Sequence, residues 1–240
     1  MTQRPIRLFL TAALWLVLAV AASFGIGFAI GFGPAFLAGL RHQPVPHRAV
    51  SALIGPLSAA ALQATLLLGA WSRSRPPRGA GLGAGPIQRP ALLATLAIGQ
   101  LFATFAWAFL VVRLFGTPST AIATLLRQSA QSGPWLLGAL VVLATVMAPI
   151  CEELFFRGWL WTALRRHWSP VPTAIATASP WLLLHIADGG WRRVLVLIPA
   201  AILFSVGRHY CGSVRASITM HIVNNGSVAA LVAIVALFGS

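Results

Sequence analysis

The stretch PWLLGALVVLATVMAPICEELFFRGWLWTAL, residues 134–164, combines a membrane-length apolar run with two adjacent carboxylates, Glu152 and Glu153. About 20 apolar residues are enough to cross the hydrocarbon core of a bilayer as a helix. Further apolar runs lie at about 8–38, 50–71, 91–112, 170–187, 192–207 and 213–238. They are continuous rather than alternating, and backbone groups in lipid must be satisfied internally, so they indicate helices. The sequence therefore predicts an all-α, polytopic transmembrane bundle of about seven or eight membrane helices.

The composition agrees with a membrane protein, since 58% of the residues are hydrophobic, 8% are charged and the mean hydropathy is +0.84. A soluble domain carries about a quarter charged residues because its surface is wetted. The net charge of +14 comes from seventeen arginines, nearly all of them at the ends of apolar runs or in loops. That placement orients a membrane protein, whereas a nucleic-acid binder needs a basic cluster on one wetted face. We therefore expect the lipid bilayer, and no nucleic acid, as a partner.

The chain is predicted to form one membrane domain in two parts. Residues 1–133 hold N-terminal membrane helices and an Arg-, Pro- and Gly-rich loop at 72–90, with a surface or re-entrant helix expected at 114–133. Residues 134–240 hold the acidic pair and the later helices. With the N-terminus inside, ten arginines fall in inner segments and six in outer ones, which predicts a cytoplasmic N-terminus. The Arg-only, Ala- and Gly-rich composition is typical of a GC-rich bacterial genome, so we expect a bacterial inner membrane.

The acidic pair is unusual because the whole chain has only three acidic residues. Each carboxylate inside a bilayer costs about 2.5–3.5 kcal/mol on insertion scales. Glu153 and Arg157 are four residues apart and can pair on one helix face. Such a pair could simply pin two helices together, but Glu152 points about 100° away and lacks that partner. Glu152 is therefore the candidate general base, whereas the third acid, Asp188, stands in a DGG turn and serves backbone conformation.

Polar side chains in the later apolar runs are the candidates to join the acidic pair. His185 ends the run PWLLLHIADGG. His221 and Asn225 are four apart in SITMHIVNNGS and share a helix face, with Asn224 also within reach. In lipid, such groups must find one another or water. The remaining histidines lie in arginine-bearing loops and are expected to be solvated: His42, His47, His167 and His209.

Three motifs formed by these residues resemble those of the CPBP family (CAAX proteases and bacteriocin-processing enzymes, also called Abi). EELFFR at 152–157 matches the family's EExxxR motif, and WLLLH at 181–185 matches FxxxH with Trp181 in place of Phe. HIVNN at 221–225 matches the HxxxN-type motif. The resemblance covers about residues 134–238, and its order and spacing are similar to those of the type II CAAX prenyl endopeptidases.

The resemblance implies an intramembrane endopeptidase that hydrolyses membrane-associated or prenylated protein and peptide substrates. Glu152 with His185 would activate the water, and His221 with Asn225 would stabilise the oxyanion. Glu153 and Arg157 would support the site. No cofactor is expected. Two histidines and a glutamate are also possible zinc ligands, so a divalent metal stays open, although the sequence has no compact HExxH.

Two other functions fit the same residues. A catalytically silent relative could act as a membrane accessory or immunity protein by binding a peptide or partner. A proton-coupled transporter could use an embedded glutamate and histidine as a proton relay, but no inverted repeat is present. A serine nucleophile is disfavoured because the chain has no GxSxG.

Overall fold

A computed structural model describes residues 5–42, 47–75, 81–118 and 134–238. Within these residues the chain forms seven helices and no strand. The helices are α1 (Pro5–Leu40), α2 (His47–Ser74), α3 (Pro90–Phe115), α4 (134–164), α5 (Pro170–Leu184), α6 (Ile186–Tyr210) and α7 (Val214–Phe238). The predicted all-helical bundle is confirmed.

By length and hydropathy, six of the described helices are able to cross a membrane, namely all except α5. With 15 residues, α5 is about 22 Å long, which is less than the roughly 30 Å of a bilayer's hydrocarbon core. The predicted run at 170–187 is thus a helix, but a short one. A surface or re-entrant helix was predicted at 114–133. In the structure, α3 continues to Phe115 and residues 116–118 are irregular. The remainder of that predicted helix, and the side chain of Asp188, lie outside the described residues.

Helix α4 lies at the centre of the bundle and contacts α2, α5 and α7. Two stretches of it, Leu143–Met147 and Leu154–Leu160, have π-helical hydrogen bonding, on either side of the acidic pair. Each π turn inserts an extra residue and rotates the following side chains, a feature common at functional sites. Large apolar side chains on the second stretch pack into the core, where Phe155, Phe156 and Leu160 are fully buried.

At one end of the bundle, the turn between α6 and α7 is hydrogen-bonded to the segment at 81–89. The backbone N–H of Val214 donates to the Gly83 carbonyl at 2.9 Å, and that of Gln88 donates to the Cys211 carbonyl at 3.0 Å. Phe9, near the start of α1, contacts Trp168 at the same end, with the ring centroids 5.4 Å apart. The start of α1 is therefore close to the 165–169 turn, and the 81–89 segment is close to the 211–213 turn.

Helix α6 begins with a kink at the DGG sequence. Gly190 has a φ of 67°, a conformation that residues with a Cβ rarely adopt. The kink allows the chain to leave α5 at His185 and to start the membrane-length part of α6 in a new direction.

Candidate active site

The carboxylate of Glu153 is paired as its spacing predicts. Arg157 Nη1 donates to Glu153 Oε1 at 3.0 Å, and both side chains are fully buried. A second donor reaches the same oxygen from α7, since His221 Nδ1 lies 3.1 Å from it. Because a carboxylate only accepts, Nδ1 of His221 carries a hydrogen, which leaves Nε2 available to another group.

The guanidinium of Arg157 is enclosed by aromatic rings and one carbonyl. Its Cζ lies 5.1 Å from the centroid of the Trp181 ring and 5.8 Å from that of Phe204. Nη2 donates to the carbonyl of Ala201 on α6 at 3.4 Å. Rings attract a cation through their negative faces, so Arg157 joins α4 to α5 and α6 while it holds Glu153.

Glu152 faces a different set of partners, and both are uncharged. Gln63 Nε2 on α2 donates to Glu152 Oε1 at 2.8 Å. Trp181 Nε1 on α5 donates to Glu152 Oε2 at 2.7 Å. Glu152 is only 8% exposed. Its lack of an arginine partner was expected, but these two N–H donors were not.

Gln63 was missed from the sequence because it lies in the N-terminal part, where the chain has no motif. One signal could have found it, since Gln63 is the only amide side chain between residues 50 and 71. Polar side chains in membrane helices face protein rather than lipid. Trp181 was noted only as an aromatic replacement in its motif, whereas its indole N–H contacts the acidic pair directly.

The two histidines predicted for the site meet at Trp181. The centroid of the Trp181 ring lies 4.7 Å from that of His185 and 5.5 Å from that of His221. His185 Nδ1 donates to the Trp181 carbonyl at 2.9 Å, so its Nε2 is directed elsewhere. Phe204 stacks on His221 with a centroid separation of 4.6 Å. Glu152, His185 and His221 are therefore grouped around one indole ring.

Asn225 has a contact that its motif does not suggest, since its Nδ2 donates to the carbonyl of Ala144 on α4 at 3.0 Å. The N–H of Ala148, which an α-helix would direct to that carbonyl, bonds to Leu143 instead. The next residue, Pro149, has no N–H to offer. Asn225 thus satisfies a carbonyl that the helix leaves free. An amide nitrogen carries two hydrogens, so one N–H of Asn225 remains for another acceptor.

Arg208 serves the second π stretch of α4 in a similar way. The N–H of Trp161 bonds to the carbonyls of Phe156 and Gly158, and not to the Arg157 carbonyl that an α-helix would use. Arg208 Nε donates to that Arg157 carbonyl at 2.9 Å. The backbone that presents Arg157 is therefore held by a side chain of α6.

The described His, Cys, Asp and Glu side chains form no group of three that could hold a metal ion. The arrangement is instead a hydrogen-bonded one, in which Glu153 orients His221 and two neutral donors orient Glu152. Such a set can position a water, accept its proton and hold a developing negative charge.

The comparisons with known proteins concern the same part of the chain. Residues 134–227 match the family model described as Rce1-like, type II CAAX prenyl endopeptidase Rce1-like. No curated protein and no solved structure matches the chain. The matched span contains Glu152, His185, His221 and Asn225, but not Gln63. Over residues 134–227 the chain is therefore similar to the CPBP (CAAX protease) family of membrane proteases.

Proposed function

We propose that this protein is an intramembrane endopeptidase that hydrolyses peptide bonds of membrane-associated protein or peptide substrates, including prenylated ones. The observation that carries the proposal is the state of Glu152. It is a nearly buried carboxylate with no cationic partner within hydrogen-bonding distance in the described structure, held between Gln63 and Trp181. A carboxylate used only to join helices would be expected to have a cation, as Glu153 has in Arg157.

In the proposed reaction, Glu152 takes a proton from a water whose oxygen attacks the carbonyl carbon of the scissile bond. His185 helps to hold that water. The remaining N–H of Asn225 donates to the oxyanion of the tetrahedral intermediate. His221 donates to it through Nε2–H of the doubly protonated ring, whose Nδ1–H binds Glu153. The intermediate then collapses, the C–N bond breaks, and Glu152 returns the proton to the leaving amine.

We further propose that the reaction needs no cofactor. Both oxygens of Glu152 accept N–H bonds, and Nδ1 of each histidine is used on a protein oxygen. We also propose that the N-terminus faces the cytoplasm of a bacterial inner membrane, because the segments on that side carry more of the arginines.

The test is cleavage of a lipid-anchored peptide by the purified protein in liposomes, followed by mass spectrometry of the products. Glu152→Gln keeps the size of the side chain but removes its basicity. We expect kcat to fall by about 10²–10⁴-fold, the usual contribution of a general base. Cys151→Ala, at the adjacent buried position, is the matched control and should stay within about twofold of the unsubstituted protein.

Two additions to this assay test whether the substrate is prenylated and whether the reaction needs a metal. The same peptide with and without a prenyl group compares the two substrate classes, and a titration with a metal chelator tests the cofactor. Full activity of Glu152→Gln would contradict the proposed base, and loss of activity with the chelator would contradict a cofactor-free reaction.

A further inference from the structure

Gln63 connects the site to a helix outside the family match. It lies on α2, is 8% exposed, and contacts Glu152 across 89 positions of sequence. The direction of its amide is determined by its partner, because a carboxylate accepts and only the Nε2 end of the amide can donate. Gln63 Oε1 therefore points away from the Glu152 oxygen.

The amide oxygen of Gln63, Oε1, indicates a further role for this side chain. Gln63 Oε1 is buried and has no hydrogen-bond partner in the described part of the protein. A buried carbonyl oxygen without a donor is costly, and such atoms in native proteins mark bound water or functional sites. The oxygen and nitrogen of one amide are close neighbours, so a donor bound to Gln63 Oε1 lies beside Glu152.

Glu152 has capacity for the same donor. Its two oxygens offer about four lone-pair positions, and Gln63 Nε2 and Trp181 Nε1 occupy one on each oxygen. A water next to Glu152 and Gln63 could give one O–H to the carboxylate and the other to the amide oxygen. Its lone pair would then be turned away from both, towards an incoming carbonyl carbon.

We propose that Gln63 is a positioning residue that orients both Glu152, through Nε2, and the hydrolytic water, through Oε1. This inference rests on the proposed function and adds to it a residue from the N-terminal half. A purely structural tie between α2 and α4 would use the donor alone and would leave the chemical step unaffected once the protein is folded.

The experiment compares three variants in the liposome cleavage assay, with kcat and KM measured separately. Gln63→Met matches the side chain in length and offers neither a strong donor nor a strong acceptor. Gln63→Asn keeps a buried amide but shortens its reach, and it serves if the methionine variant does not fold. Thr65→Val is the control, because Thr65 lies on the same helix and donates only to Ala61 of that helix.

We expect Gln63→Met to lower kcat by about 10- to 100-fold, since hydrogen bonds to charged groups are worth roughly that factor. Its KM should stay within about threefold, because Gln63 acts on the water and not on substrate binding. Gln63→Asn should lose kcat in the same direction, and Thr65→Val should retain it. A folded Gln63 variant with kcat within about twofold of the unsubstituted protein, or with only KM raised, overturns the inference.

Glu152→Gln separates this result from the proposed function. If Glu152→Gln is inactive while Gln63→Met is fully active, the peptidase proposal stands and the role of Gln63 is wrong. If Glu152→Gln is fully active, the proposed function itself fails, and the role of Gln63 fails with it.

Discussion

Replacing Arg157 by methionine would leave the Glu153 carboxylate fully buried without its arginine, with His221 Nδ1 still bonded to Oε1. At the 3.0 Å separation of Nη1 and Oε1, and with an effective dielectric constant of about 20, the Coulomb attraction is about 5–6 kcal/mol. Breaking a buried pair by removing one partner usually costs about 3–5 kcal/mol. For a chain of this length, each kcal/mol lowers Tm by about 2–4 °C. We therefore expect Tm to fall by roughly 6–20 °C.

The double variant Glu153→Gln with Arg157→Met removes both charges together. Its neutral amide still offers an oxygen to His221, so no buried charge is left unpaired. We expect the double variant to be at least about 2 kcal/mol more stable than Arg157→Met alone, since residues in contact show such coupling. The assay is thermal unfolding of the purified protein in detergent. Arg113→Met, at an exposed position on α3, is the matched control and should shift stability by under about 0.5 kcal/mol.

Two outcomes would refute this account of the pair. One is an Arg157→Met variant whose Tm lies within a few degrees of the unsubstituted protein. The other is a double variant as unstable as the sum of the two single substitutions, which would mean that the charges do not compensate each other.

Further tests address the indole N–H and the buried thiols. Trp181→Phe keeps an aromatic ring against the two histidines but removes the N–H donated to Glu152; kcat for the lipid-anchored peptide should fall about 10-fold, and an unchanged kcat would show that this hydrogen bond is dispensable. Cys151 and Cys211 are buried, and burial raises the pKa of the Cys211 thiol, so less thiolate is present at neutral pH. Neither thiol should react with a maleimide in the native protein, whereas both should react after unfolding, as read by mass spectrometry; labelling of Cys211 in the native state would contradict its burial.

Local features of the chain were predictable because they depend on short-range geometry. The apolar runs predicted the helices, since backbone groups in lipid have few alternatives to helical hydrogen bonds. The pairing of Glu153 with Arg157 followed from a spacing of four residues on one helix. The similarity of residues 134–227 to the Rce1-like family model was predictable from three short motifs in order, whereas the catalytic roles of their residues stay predictions.

Contacts between helices were harder to predict from the sequence. His221 was expected at the oxyanion, and in the structure its Nδ1 binds Glu153. Asn225 donates to Ala144, a contact that depends on the π turn before Pro149. Each of these depends on how far one helix is rotated and shifted along another, and a π turn in α4 changes both. The spacing of residues in the sequence does not show how far one helix is rotated against another.

The acidic pair shows which features the sequence determined and which depended on the tertiary structure. The sequence alone determined that Glu152 and Glu153 lie in a membrane helix and that Arg157 is on the face of Glu153, because helical periodicity places residues four apart together. Only the tertiary structure decided that Glu152 meets Gln63 and Trp181 instead of a cation. Those partners come from α2 and α5, and packing between helices, which acts over long sequence separations, brings them to within hydrogen-bonding distance.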